Sequence, residues 1–265
     1  MPPIQPGLIK QQAARISEFS NEPSRFTKEL SQLLEYYGEK TFRQGRSGEP
    51  KPLTPAFAVP PPLLKILLTE FTTQLRQEPL PWLAICDQLW AVPQIELRLL
   101  SAWLLGKFPV EYSEPVLDRI RLWTPSEIER QLQIALLTQG TVNLRKENSQ
   151  AVFALAKDWL SSGKNPLRGL GFQILDILAQ DPNYENLPNL YSLITPYIIN
   201  IDPGLRQEVV DTMGGLVRRS PTETAFFLRN AMENARSQDT AWLIRQLLPD
   251  FPPDTRESLR ITVRR

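Results

Sequence analysis

Five arginines recur along this chain in similar settings: Arg98, Arg130, Arg168, Arg206 and Arg245, separated by 32, 38, 38 and 39 residues. An arginine fork matches phosphate oxygens in a fixed planar geometry, so five on one ridge would form a track for a nucleic-acid backbone. The clearest copies are Leu97-Arg98 with Ser101 and Leu105-Gly106, Leu167-Arg168 with Gly171 and Leu175, and Leu205-Arg206 with Val209 and Met213-Gly214. In each, an apolar residue precedes the arginine, a mostly small residue follows three later, and an apolar residue comes four beyond that. A second reading places each arginine at a repeat junction, bonded to backbone carbonyls or to an acid such as Asp202. That structural reading is preferred for Arg98, Arg130 and Arg245; for Arg168 the two stand level. Further basic residues, Arg43, Arg46 and Lys51, cluster in one stretch and would add phosphate contacts.

Composition narrows the chemistry. The 265 residues contain no histidine and a single cysteine, Cys86. The usual acid–base side chain near neutral pH is therefore missing. One thiol with carboxylates is a poor zinc set, and no metal or other cofactor is expected. The lone cysteine also excludes an internal disulfide and fits a reducing, cytoplasmic setting. With 30 basic and 29 acidic residues interspersed, the net charge of +1 does not mark a strongly basic binder. No apolar run suggests a membrane span, and the first residues do not read as a secretory signal.

The elements that must position these residues read as helices. Apolar residues at three and four spacing in Leu63-Leu64, Leu67-Leu68, Phe71 and Leu75 mark one helical face, and Phe153 to Leu160 and Leu170 to Leu178 repeat the pattern. Period-two alternation and hairpin dipeptides are missing, which argues against a sheet. Prolines 93, 125, 166, 203 and 221 fall near helix starts, where a missing N–H costs little. A fixed period in this range predicts an all-α superhelix (solenoid) of HEAT-like hairpins, read as a single domain over 1–265. Its N-terminal helices occupy 1–39 and a Pro/Gly-rich basic loop occupies 40–62. Trp123, beside the Thr124-Pro125 corner, is the tryptophan expected to face outward and stack on a base.

Beyond HEAT repeats in general, the chain resembles the bacterial HEAT-like-repeat DNA alkylation repair family, whose characterised members are alkylpurine DNA glycosylases. The resemblance spans about residues 30 to 235. It rests on the order of loose motifs: Ala58-Val59-Pro60-Pro61-Pro62-Leu63-Leu64-Lys65-Ile66, then Gln88-Leu89-Trp90 with Glu96-Leu97-Arg98, then Leu117-Asp118-Arg119, then Leu167-Arg168. It implies double-stranded DNA as partner, Arg168 facing it, and a carboxylate that stabilises the cationic sugar as the glycosidic bond breaks. Ser126-Glu127 stands where the family has a Trp-Asp pair, so Glu127 keeps the carboxylate without the aromatic. Nor does the 205–219 helix hold an aromatic where a second tryptophan is implied. Against Glu127 as catalyst stands a local reading in which the 126–129 stretch merely caps a helix.

Three functions follow. The first is a DNA-binding protein of this type with catalytic residues partly missing, contacting DNA through Arg168, Arg206, Trp123 and the 43–51 basic residues. The second is a non-catalytic scaffold for a protein partner, and the third an active alkylpurine glycosylase using Glu127.

Overall fold

The computed structural model describes residues 3–38, 54–124 and 129–264, the last side chain excepted. Among them there are fifteen α-helices and no strand, so the fold is all-α. The contacts divide the chain into two compact units, Met1–Glu147 and Asn148–Arg265, where the sequence is read as one domain.

The first unit holds α1 (Pro6–Ser17), α2 (Pro23–Tyr37), α3 (Pro61–Gln77), α4 (Pro79–Ala91), α5 (Ile95–Leu105), α6 (Ser113–Trp123), α7 (Arg130–Thr138) and α8 (Val142–Glu147). Helices α1 to α4 each carry proline in the first two positions, where no intrahelical N–H bond is lost. Contacts run α1 to α3, α3 to α5 and α5 to α7, with α2 on α4. Phe26, Phe71 and Trp82 meet with ring centroids 5.1, 5.5 and 5.6 Å apart, tying α2, α3 and α4 together. All three rings are buried; each contributes on the order of 2 kcal/mol by leaving water.

The second unit holds α9 (Ser149–Ser161), α10 (Asn165–Gln180), α11 (Leu187–Ile199), α12 (Arg206–Arg219), α13 (Pro221–Ala235), α14 (Gln238–Leu247) and α15 (Pro253–Arg264). Here α10 contacts α12 and α12 contacts α14, while α11 contacts α13 and α13 contacts α15. Buried hydroxyls stitch neighbours: Thr212 Oγ1 donates to the Phe172 carbonyl at 3.0 Å, and Thr240 Oγ1 to the Ile198 carbonyl at 2.8 Å. Pro196 lies inside α11. Ser220-Pro221 opens α13 with proline in its first turn, but the Ser220 hydroxyl makes no capping bond.

Candidate functional site

The repeated arginine motif resolves into a helical hairpin, seen once in each unit. In the first, Arg98 lies in the first turn of α5, and its Nε donates at 3.0 Å to the carbonyl of Trp90, at the end of α4. Its guanidinium carbon is also 5.6 Å from the Trp90 ring centroid, within cation–π range. In the second, Arg168 lies in the first turn of α10, and its Nε donates at 3.3 Å to the carbonyl of Leu160, near the end of α9. Both bonds reach back eight residues across the hairpin. A helix's last carbonyls have no intrahelical donor and carry negative partial charge, so a cation there answers both needs.

The small residue three places on has an equally local cause. Ser101 is fully buried and donates to the Cys86 carbonyl of α4 at 2.8 Å. At Gly171 an added Cβ would lie 2.8 Å from Leu160 Cγ and 3.0 Å from the Ala156 carbonyl oxygen of α9. Close crossing of the two helices requires the small side chain.

The remaining arginines of the series differ. Arg206 is exposed, with its guanidinium carbon 5.1 Å from the Trp242 centroid. Arg130 and Arg245 are exposed and bond to no described residue. Arg206 follows a short 3-10 turn, Pro203–Leu205, instead of a helix whose end it could cap.

Near Arg168 a cavity of about 460 Å³ is lined by Arg168, Tyr197, Asn200, Asp202, Pro203 and Leu205, among others. Tyr197 Oη donates to the same Leu160 carbonyl at 2.9 Å. Asp202 accepts from Asn165 Nδ2 at 2.9 Å and from the Gly204 amide at 2.8 Å. Those two bonds, with a smaller contribution from the Arg168 charge, hold the Asp202 carboxyl below its ordinary range. An ionised carboxylate thus shares the cavity with Arg168.

In the first unit two carboxylates fasten the chain segment that enters α3. Glu96, in the first turn of α5 and 5% exposed, accepts from the Phe57 amide at 3.0 Å and the Ala58 amide at 2.7 Å. Beside it the Ile95 amide donates to the Pro55 carbonyl at 2.9 Å. Glu129, the residue preceding α7, accepts from the Thr54 amide at 2.6 Å and from Gln131 Nε2 at 2.9 Å. Glu129 stands just before α7 with extended backbone, φ −60° and ψ 141°, and its carboxylate serves the entering segment; the 126–127 part of the capping expectation lies outside the described residues. Ala58 sits at φ 55°, a left-handed conformation that costs a Cβ-bearing residue about 1 kcal/mol. Ala58→Gly is expected to raise stability by about 0.5 kcal/mol, strain relief outweighing the greater freedom of unfolded glycine. A thermal melt checks the sign.

Trp123 corrects an expectation. Its ring is only 6% exposed and stacks on Trp90 with centroids 4.7 Å apart and planes 7° from parallel. Trp123 closes the buried stripe Val116, Leu117, Ile120 of α6 and is no outward platform for a base. Cys86 is fully buried, and that burial pushes its thiol far up, away from the nucleophilic thiolate.

No family model, no curated protein and no solved structure matches this chain. Its site is therefore read from its own residues. Glu127, Arg43, Arg46 and Lys51 lie outside the described residues. Thr54 and Glu129, the first described residues after the 39–53 and 125–128 segments, are bonded to each other. Arg168 and Arg206 belong to the second unit; Trp123 belongs to the first. Among the described residues no group of three or more His, Cys, Asp or Glu side chains is placed to hold a metal. No helix among them is long and apolar enough to cross a membrane.

Proposed function

We propose that this chain is a non-catalytic binding module built from HEAT-like helical hairpins, and that its partner is a protein. Contacts between helices two places apart, α1–α3, α2–α4, α3–α5 and α5–α7 in the first unit and α10–α12, α11–α13, α12–α14 and α13–α15 in the second, support the stacked-hairpin reading. The observation that carries the choice of partner is the use of Arg98 and Arg168: each donates Nε to the end of the preceding helix, which holds the guanidinium back against its own hairpin. Arg168 also lines one cavity with the Asp202 carboxylate, whose negative charge opposes a phosphate there. The second unit carries thirteen basic and thirteen acidic residues, so its overall field favours neither sign of polymer. Exposed Tyr36, Leu80 and Leu122 in the first unit are apolar positions of the kind that protein contacts use.

The test sets this reading against DNA. A fluorescent duplex titrated at low salt is expected to show no saturable binding up to roughly 100 μM protein, the weak end of non-specific DNA affinity. Arg168→Ala is expected to lower stability by about 1 to 2 kcal/mol through the lost cap. A saturable isotherm that steepens as salt falls, and that Arg206→Ala abolishes, would overturn the protein reading in favour of DNA. Release of methylated purines that disappears in Glu127→Gln would overturn the non-catalytic one.

A further inference from the structure

Phe226 stands near the middle of α13 with 59% of its surface in water. It borders a groove of about 580 Å³ between α11 and α13, whose aromatic members are Tyr191, Phe226 and Phe227. The Tyr191 and Phe227 rings pack 4.8 Å apart, and the Tyr191 hydroxyl shares a 2.9 Å hydrogen bond with buried Thr224. Such a floor is fixed in place before anything binds. A large exposed aromatic beside a preformed apolar groove marks a contact surface.

The polar residues around the groove say what covers it. Thr222, Glu223, Arg229 and Asn230 all border it, and they fall symmetrically about Phe226: Glu223 and Arg229 three places to either side, Thr222 and Asn230 four places. At 100° per residue all four lie within about 60° of Phe226 around the helix, and the charged pair stands about 4.5 Å above and below it. A surface with an acid and a base equidistant from a central aromatic is complementary to itself when a copy is laid antiparallel across it. A parallel copy would set Glu223 against the partner's Glu223 and Arg229 against the partner's Arg229.

We propose that this face is a self-association surface, in which α13 of two copies cross antiparallel about a twofold axis at Phe226. The Phe226 ring of each copy enters the α11–α13 groove of the other. Glu223 then stands level with the partner's Arg229, and Thr222 with the partner's Asn230. Glu223 is exposed and bonds to no described residue; Arg229 spends Nη1 on Ser258 Oγ at 2.9 Å and keeps its other N–H groups for the pair. An isologous contact of this kind closes on itself as a dimer and does not propagate. One helix face and one groove make a small interface, so the dimer is concentration-dependent. The inference concerns copies of this chain alone and stands whether the other partner is a protein or DNA.

Sedimentation equilibrium of the full chain from roughly 2 to 200 μM tests it, the range that brackets a weak, small interface. The average mass is expected to climb from one chain toward two. Phe226→Glu holds the protein at one chain throughout. E223R and R229E each weaken association about tenfold or more, because like charges then face each other. The double variant E223R/R229E restores it, and so does an equimolar mixture of the two single variants, which pairs an all-basic face with an all-acidic one. Circular dichroism melts confirm that each variant is folded. A wild-type chain that stays monomeric at the highest concentration overturns the proposal. So does a dimer that survives Phe226→Glu, or two single variants that fail to associate when mixed.

Discussion

Glu96→Ala is expected to destabilise the first unit by about 3 kcal/mol, lowering its melting temperature by roughly 6 to 12 °C. The carboxylate is buried at 5% exposure, and both of its oxygens are used: Oε2 by the Phe57 amide and Oε1 by the Ala58 amide. Charge-assisted bonds of this type are roughly twice as strong as neutral ones. Alanine leaves two amides without an acceptor, and half-buried backbone donors are costly to strand. The position adds a further contribution: Glu96 lies in the first turn of α5, where the helix N-terminus favours negative charge. Glu96→Gln is expected to fall between the two, since one oxygen still accepts while the amide nitrogen faces a second donor. Amide exchange gives the site-specific readout, with Phe57 and Ala58 becoming much faster in the alanine variant than in the native chain. A melt within about 1 °C of native, with those amides still protected, would show that the carboxylate does not hold the segment.

Much of this fold is written in local patterns, and the rest depends on partners that no local pattern names. The stripe Leu63, Leu67, Phe71 and Leu75 is buried as its spacing predicts, because burying one face is what stabilises an amphipathic helix. The arginine period was legible too, but its meaning was not. Whether Arg168 meets phosphate or a carbonyl depends on where α9 ends, and the carbonyl it finds belongs to Leu160, eight residues back. The partner of Glu96 lies at residues 57 and 58, a separation that no helical or strand period connects. The Thr124-Pro125 corner suggests an outward Trp123, but helical spacing is the stronger signal: Val116, Leu117, Ile120 and Trp123 fall on one face, and a residue on that face belongs inside. Glu223 and Arg229 gave no signal through periodicity, since their significance is their equal distance from an aromatic whose exposure only the packing reveals.

Gly106→Ala is expected to destabilise the first unit by about 3 kcal/mol or more, and its cause is space alone. Gly106 follows α5 at φ −73° and ψ 4°, a conformation open to any residue, so alanine introduces no torsional strain. A Cβ there would lie 1.7 Å from the Gln139 carbonyl oxygen and 2.9 Å from both the Gln139 carbonyl carbon and Val142 Cγ1. The nearest obstacle is backbone and cannot turn aside as a side-chain tip does; relief requires moving the ends of α5 and α7 apart. Close-packed interiors transmit such a displacement to the side chains around it. Gly171→Ala should cost less, because the nearest backbone atom, the Ala156 carbonyl oxygen, lies at 3.0 Å instead of 1.7 Å and the 2.8 Å contact is with the Leu160 side chain. The control is Gly7→Ala in the first turn of α1, where nothing lies within 4 Å and alanine's lower backbone entropy should leave stability equal or slightly higher. The expected order of melting temperatures is Gly7→Ala at or above native, then Gly171→Ala, then Gly106→Ala. If Gly106→Ala melted with the native chain, the backbone approach of α5 to α7 would have to be wrong, and with it the close packing that brings these two helices together.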